Sequence, residues 1–140
     1  MKVCIVGAGA IGGLLAVRLA RSGTPVSVIA RGPHLQAIRE RGLTLIGEDG
    51  SSHTERLEAS SSTADLGPHD VVVLGMKAHQ VGAVAPELGR LLRPETMIVT
   101  TQNGLPWWYF QKLDGPYRDR VIESVDPGGV IARHIEVDRI

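Results

Sequence analysis

The stretch Val3-Cys4-Ile5-Val6-Gly7-Ala8-Gly9-Ala10-Ile11-Gly12 opens the chain and decides its fold. Its first four residues form an apolar run, which is typical of a strand buried on both faces of a parallel sheet. The glycines that follow have the spacing G-x-G-x-x-G, and an apolar-periodic segment after them predicts a helix over 11–21. We expect Ile11, Leu14, Leu15 and Leu19 on the core face of that helix. A strand, a glycine turn and a helix in this order predict a dinucleotide-binding βαβ unit.

Each glycine of the turn has its own expected task. Gly7 allows the tight turn out of the strand, Gly9 lets a pyrophosphate approach the backbone, and Gly12 lets the helix pack closely on the strand. The free N–H groups at the start of the helix then face the phosphates. A plain glycine turn in an α/β protein is the alternative. The predicted phosphate-binding residues are Gly7, Ala8, Gly9, Ala10, Ile11 and Gly12.

The end of the next predicted strand, over 25–29, carries the choice of cofactor. An NAD site usually has an acidic residue at this position for the ribose 2′-hydroxyl, whereas an NADP site accommodates an arginine. No carboxylate lies between Gly23 and Gln36, and Arg31 stands directly after the strand. Because a guanidinium fork suits a phosphate, we expect NADP(H) rather than NAD(H). A solvated surface arginine is the alternative for Arg31.

Composition limits the class of protein. A chain of 140 residues is the size of one domain, and a hydrophobic content of 43% is enough for a core. The 15 basic residues balance the 15 acidic ones, so there is no electrostatic case for nucleic acid or an anionic membrane as partner. No apolar run approaches the length of a membrane span, and we expect a cytoplasmic location.

Cysteine and histidine give no sign of a metal site. Cys4 is the only cysteine and lies in the first predicted strand, so we expect a buried core thiol. The five histidines lack the spacing of metal ligands.

Predicted strands and helices alternate through the first hundred residues. This alternation predicts an α/β fold with a Rossmann-like, doubly wound parallel sheet. The expected elements after the second strand are a helix over 33–41, a strand over 43–46 with a hairpin return over 52–57, a polar loop over 60–63, a strand over 71–74, a helix over 79–92 that Pro86 kinks or divides, and a strand over 97–100.

The pattern becomes irregular over 106–140. Pro106 suits the start of a helix, and Trp107-Trp108-Tyr109-Phe110 holds four of the five aromatic residues. Because a helix distributes four consecutive rings around its circumference, we expect some of them on the surface. Residues 137–140 look like the start of a strand. We interpret 1–140 as a dinucleotide-binding domain whose aromatic-containing last segment, 106–140, leads to a further domain.

Three stretches resemble the ketopantoate reductase family (2-dehydropantoate 2-reductases). They are 6–13 (VGAGAIGG), 74–80 (LGMKAHQ) and 101–105 (TQNGL). The first stretch is shared by many oxidoreductases, whereas the pair formed by Lys-Ala-x-Gln and Gln-Asn-Gly is more specific. The resemblance covers almost all of the chain but only the N-terminal, cofactor-binding half of the family, so the family's C-terminal helical substrate domain is absent.

The resemblance implies roles for residues at the ends of two successive strands. Lys77 and Asn103 are the implied catalytic residues, and both also bind the cofactor, together with Gln80. Physical reasoning agrees, because ligands of open α/β sheets bind beyond the carboxyl ends of the strands. The alternatives are a solvated loop charge for Lys77 and a turn residue for Asn103.

The family reaction is hydride transfer from NADPH to the keto carbon of 2-dehydropantoate, which gives pantoate for pantothenate biosynthesis. In the family the proton-donating lysine and an acidic substrate-binding residue lie in the C-terminal domain. We therefore expect this chain to bind NADPH, to contact a 2-oxo acid as partner, and to turn over little substrate alone. A homodimer stays open.

Three alternatives to the pantoate reaction remain at this point. The aromatic segment over 106–137 looks longer than the link in pantoate-forming members, which leaves a related 2-oxo acid or a bulkier carbonyl compound open. A non-catalytic dinucleotide-sensing module is a second alternative, although Arg31 argues against it. Another hydroxyacid or opine-type dehydrogenase on the same fold is the third.

Overall fold

The apolar run that opens the chain forms the central strand of a five-stranded parallel sheet in the computed structural model, which describes residues 1–140. The strands are β1 (Val3–Val6), β2 (Val26–Ile29), β3 (Leu43–Ile46), β4 (Ser52–Glu55), β5 (Glu58–Ser60), β6 (Val71–Leu74) and β7 (Met97–Thr100). The helices are α1 (Ala10–Arg21), α2 (Gly32–Arg41), α3 (Ala78–Leu88) and α4 (Val130–His134). No helix combines the length and the hydropathy that a bilayer span requires.

The sheet is doubly wound, as the alternating pattern predicts. Its strand order is β5-β2-β1-β6-β7, so the chain grows to one side of β1 and then crosses to the other. Successive side chains of β1 enter two separate cores: Cys4 and Val6 pack with α3, whereas Val3 and Ile5 pack with α1 and α2. Because both faces of the sheet are covered, its central strands are apolar at nearly every position.

The edge of the sheet beside β2 was only partly predictable. The expected hairpin forms, because β3 and β4 pair antiparallel as a separate two-stranded sheet. The strand β5 was not predicted; it pairs parallel with β2 and overlaps the loop expected from Ser60. Its sequence Glu58-Ala59-Ser60 has no apolar run, so only the pairing with β2 makes it a strand.

The core face of α1 differs from the expected one. Its buried residues are Gly12, Ala16 and Val17, whereas Ile11 is 53% exposed. Small side chains on the buried face bring the helix close to the sheet, and this close approach leaves the larger side chains at its margin. The expectation that Ile11 is a core residue was therefore wrong.

The expected kink or division at Pro86 takes a milder form. The helix α3 continues for two residues beyond Pro86, and a 3₁₀ turn over Gly89–Leu91 replaces its last predicted turn.

Two expectations for the last segment were wrong. Turns follow Pro106 in place of a helix, and a 3₁₀ turn over Val137–Arg139 stands where a strand was expected. The expectation that some of the four rings lie on the surface was correct, because Tyr109 is half exposed whereas Trp107 is buried. The short helix α4 packs against α3, and the buried Asp126 carboxylate accepts hydrogen bonds from backbone N–H groups of its first turn at 2.7 and 3.0 Å.

Cys4 is a core thiol, as expected. Its side chain is fully buried in β1, and burial raises the pKa of the thiol to about 12. A thiol that stays protonated at neutral pH is a poor nucleophile, which fits a packing role.

A polar network is buried beneath β2, away from the carboxyl ends of the strands. Ser27 donates a hydrogen bond to Glu58 Oε2 at 2.8 Å, and its Oγ lies 3.2 Å from Nε2 of His69. The other ring nitrogen of His69, Nδ1, donates to the carbonyl of Gly67 at 2.8 Å. His69 is fully buried, and burial holds the pKa of its imidazole below the ordinary 6.5.

We predict that His69 makes the fold acid-sensitive. Because its pKa is lowered on folding, the unfolded chain binds a proton first, so stability is complete above pH 6.5 and declines as the pH falls below it. Urea unfolding between about pH 5 and 8 measures this slope. Hydrogen bonds from Ser51 and from the Lys2 backbone lower the pKa values of Asp49 and Asp70 below 3.8, outside this window.

The substitution His69→Asn tests the assignment. Its amide can still donate to the Gly67 carbonyl, so we expect a loss of about 1–3 kcal/mol at neutral pH and a flatter pH slope. The control is His53→Asn, in the β3–β4 hairpin, which should leave the slope unchanged. An unchanged slope in His69→Asn would contradict the prediction.

Candidate functional site

Three backbone segments meet at the carboxyl end of the central strands. Gly7 has a φ angle of +98°, and its carbonyl oxygen lies against both Gly12 and Gly75. A Cβ atom on Gly75 would lie 2.7 Å from that oxygen and 2.9 Å from the Cα of Gly12, and one on Gly12 would overlap the same oxygen. Only glycine fits at this contact, which joins the turn after β1, the first turn of α1 and the end of β6.

Gly9 has no such packing reason for being glycine. A Cβ atom there would meet no protein atom within 4 Å, and the residue is exposed with φ −74°. No side chain caps the first turn of α1, and that turn carries no acidic residue. The backbone N–H groups beyond Gly9 are therefore free for an anionic ligand, which the helix dipole also favours.

A cleft of about 550 Å³ lies beside this turn, between the ends of β1, β6 and β7. It brings together predicted residues from three separate stretches of the chain. Those that line it are Gly7, Gly9, Ala10, Ile11, Lys77, Gln80 and Asn103. Gly12 lies beneath the turn and is buried, so its part in the site is structural.

Lys77 is held at the start of α3. Its backbone N–H donates to Oε1 of Gln80 at 3.1 Å, and the backbone N–H of Gln80 donates back to the Lys77 carbonyl at 2.9 Å. This reciprocal pair of hydrogen bonds fixes the first turn of the helix and leaves the amide NH₂ group of the Gln80 side chain free. The exposed Lys77 side chain makes no ion pair within the chain.

The loops after β6 and β7 are tied together by side chains that the sequence analysis did not single out. Thr101 Oγ1 donates to the Leu74 carbonyl at 2.9 Å, and the Gln102 amide donates to the carbonyls of Leu74 and Met76 at 2.7 and 2.9 Å. These bonds place Asn103 beside the loop that carries Lys77. The only feature of the sequence that could have indicated these hydrogen bonds is the Thr-Gln-Asn-Gly stretch itself.

A second cleft, of about 370 Å³, lies on the other side of the glycine turn, between the end of β2 and α3. The predicted residues that line it are Gly7, Ala8, Gly9, Arg31 and Gln80. The Arg31 guanidinium has no hydrogen-bond or ion-pair partner, and Arg31 is the N-terminal cap of α2.

Neither cleft is lined by an acidic side chain. Two histidines that the sequence analysis left without a role, His34 and His79, border the second cleft, and His79 borders the first as well. The site therefore combines free N–H groups with cationic and neutral side chains, a character that suits a polyanionic ligand.

Comparison with known proteins identifies the family. The sequence profile described as "Ketopantoate reductase PanE/ApbA" matches residues 3–107. The chain belongs to this family. A 2-dehydropantoate 2-reductase from Mesorhizobium japonicum is 45% identical over 141 residues, which cover 100% of this chain and 43% of that protein. The resemblance of the three motif stretches is thus confirmed.

Solved structures agree with the family on the fold. A crystal structure from Ralstonia solanacearum, assigned to the ketopantoate reductases, has 43% identity and a TM-score of 0.91, covering 99% of this chain and 42% of that one. A D-mandelate dehydrogenase structure covers 100% of this chain and 39% of that one with a TM-score of 0.76, but at 22% identity it shares the fold alone. The chain thus spans less than half the length of the relatives that it matches.

Alanine substitutions at Gly12 and Gly9 should have different effects on stability and on binding. We predict that Gly12→Ala destabilises the fold by about 1–3 kcal/mol, because its Cβ overlaps the Gly7 carbonyl. Gly9→Ala should change the unfolding free energy by less than about 1 kcal/mol and should still weaken dinucleotide binding, because its Cβ enters the space beside the free N–H groups. Chemical unfolding and dinucleotide titration measure the two effects; equal destabilisation by both variants would contradict the geometry.

Proposed function

We propose that the chain is the cofactor-binding part of an NADPH-dependent reductase that converts a 2-oxo acid, 2-dehydropantoate, to pantoate. The observation that carries the proposal is the pair of acid-free clefts that meet at the glycine turn, with Arg31 in one and Lys77 and Asn103 in the other. This layout suits a dinucleotide, which carries negative charge and whose diphosphate lies between two nucleoside ends.

The central part of the site fits the diphosphate. Gly9 leaves open space where any side chain would project, and the first turn of α1 offers backbone N–H groups without partners. A diphosphate in that space accepts hydrogen bonds from these groups and gains from the helix dipole. The protein itself supplies no other occupant for this space.

The second cleft supports NADP(H) rather than NAD(H). A 2′-hydroxyl is bound well by a carboxylate, but none lines this cleft. Arg31 stands at the end of β2 with its guanidinium unpaired, so its donors are available for a phosphate.

The first cleft supports the chemistry at the nicotinamide end. The cofactor supplies the hydride when bound. Lys77 is a cation that neutralises the carboxylate of a 2-oxo acid or a cofactor phosphate, and the Asn103 amide both donates and accepts hydrogen bonds there. The hydrogen bonds from Thr101 and Gln102 hold together the two loops that carry these groups, which favours a defined orientation of the reacting carbon.

The remaining parts of the reaction belong to a second domain in this proposal. Residues 1–140 then form the dinucleotide-binding domain, and 106–140 leads toward the helical domain that supplies the proton donor and a substrate-binding acidic residue. A shared site between two domains is common for small-molecule enzymes.

Titration with NADPH and NADH tests the cofactor preference. We expect NADPH to bind at least about tenfold more tightly, read by energy transfer from Trp107 and Trp108 to the reduced nicotinamide. Arg31→Ala should weaken NADPH binding about tenfold or more and leave NADH binding nearly unchanged, because the lost partner is the 2′-phosphate.

The matched control is Arg56→Ala. Arg56 is an exposed arginine that lines neither cleft, so its loss should not alter either affinity. Equal NADPH affinity in Arg31→Ala and in the wild-type protein would overturn the assignment of the second cleft.

Turnover tests the division between domains. We expect the 140-residue chain to bind NADPH but to leave its absorbance unchanged when 2-dehydropantoate is added, because the proposed proton donor lies outside it. A chain joined to the C-terminal part of a 2-dehydropantoate 2-reductase should consume NADPH, and Lys77→Ala in that chimera should abolish the reaction. Steady oxidation of NADPH by the 140-residue chain alone would contradict the division.

A further inference from the structure

His34 links α2 to the glycine turn. It lies in the first turn of α2, three residues after Arg31, and its Nε2 is 2.8 Å from the carbonyl oxygen of Ala8. A carbonyl oxygen can only accept a hydrogen bond, so Nε2 carries a hydrogen and donates it. In the neutral ring the other nitrogen, Nδ1, is therefore the one with a lone pair and the one that can take up a proton.

A bound anion would be the only opposite charge beside the His34 ring. It borders the second cleft together with Arg31 on its own helix and His79 on α3. The other elements around it, the glycine turn and β3, contribute no titratable side chain. No carboxylate is present there that would pair with the ring and compete with a ligand.

We propose that His34 is a second recognition residue for the 2′-phosphate of the cofactor, and that its Nδ1 takes up a proton from solvent when this phosphate binds. The proposal rests on the function proposed above, in which Arg31 meets the same phosphate. One N–H bond forms at Nδ1, and Nε2 keeps its own hydrogen, which it continues to donate to the Ala8 carbonyl. His34 thereby connects the 2′-phosphate to the turn that holds the diphosphate.

The proposal makes cofactor preference depend on pH. Histidine changes charge between about pH 5 and 8, so the attraction to the 2′-phosphate grows as the pH falls. NADH lacks this phosphate. The ratio of the NADPH affinity to the NADH affinity therefore reports only the contribution of the 2′-phosphate, because the contacts that both cofactors make contribute equally to both affinities. The phosphate itself loses charge near about pH 6, which acts in the opposite direction but equally in every variant of the protein.

The test compares the wild-type chain with His34→Gln. The glutamine amide can still donate to the Ala8 carbonyl, but it does not titrate. NADPH and NADH affinities are measured at about pH 8, 7 and 6.5. Between the highest and lowest pH, the NADPH-to-NADH affinity ratio should rise about tenfold more in the wild-type protein than in His34→Gln, as expected for a hydrogen bond to a charged group.

Calorimetry in buffers of different ionisation enthalpy gives an independent measure. Wild-type protein should take up more protons on binding NADPH than His34→Gln does, whereas the two should not differ with NADH. A residue with a purely structural role would weaken both cofactors together and would leave proton uptake unchanged.

Two further histidine variants act as controls. His134→Gln removes an exposed histidine that also donates to a backbone carbonyl, that of Val130 at 2.8 Å, but lines neither cleft. It should behave as the wild type. His79→Gln tests the other histidine of the second cleft, and the proposal is overturned if this variant, rather than His34→Gln, loses the pH-dependent ratio.

The outcomes separate this inference from the proposed function. A clear preference for NADPH with the same pH profile in wild type and His34→Gln overturns only the role of His34. The absence of any NADPH preference at every pH in the wild type overturns the assignment of the second cleft, and the role of His34 with it.

Discussion

The structure depends on one close backbone contact, in which the Gly7 carbonyl lies against Gly12 and Gly75. No side chain fits between these segments, so the turn after β1, the start of α1 and the end of β6 are held at backbone distance. This contact holds the start of α1 close to the sheet, and the buried residues of the helix are Gly12, Ala16 and Val17. It also forms the floor between the two clefts, because both are lined by Gly7 and Gly9.

The parallel register of the strands places the loops around this contact next to one another. Val6, Leu74 and Thr100 are aligned across three neighbouring strands, so the loops that follow them emerge side by side at one edge of the sheet. Hydrogen bonds from Gln102 to the carbonyls of the β6 loop then hold two of these loops together. The buried network around His69 lies away from this edge of the sheet, so the predicted acid sensitivity of the fold and the proposed ligand binding involve separate groups.

The sequence predicted the parts of the fold in which the local residue pattern agrees with the tertiary packing and strand pairing. Buried parallel strands, the glycine turn and the β3–β4 hairpin follow from composition and spacing alone. The strand β5 was missed because its polar residues become a strand only through pairing with β2. The position of Ile11 was wrong because side-chain periodicity does not report how closely small residues let α1 approach the sheet. His34 had no signal, since its hydrogen bond joins residues 26 positions apart.

The aromatic segment, 106–140, lies almost entirely beyond the end of the family profile. The family profile stops at residue 107, whereas the Mesorhizobium relative aligns with the whole chain. Beyond Trp107, the helix α4, whose first turn is capped by Asp126, packs against α3. Trp107 and Trp108 form an apolar wall beside Asn103. The proposed cofactor side of the site is thus formed by the parallel sheet that the family shares. The wall next to the proposed reacting carbon begins at Trp107, the last residue of the family profile, and continues with Trp108 beyond it. Differences in substrate among these proteins can therefore arise there without any change to the proposed cofactor clefts.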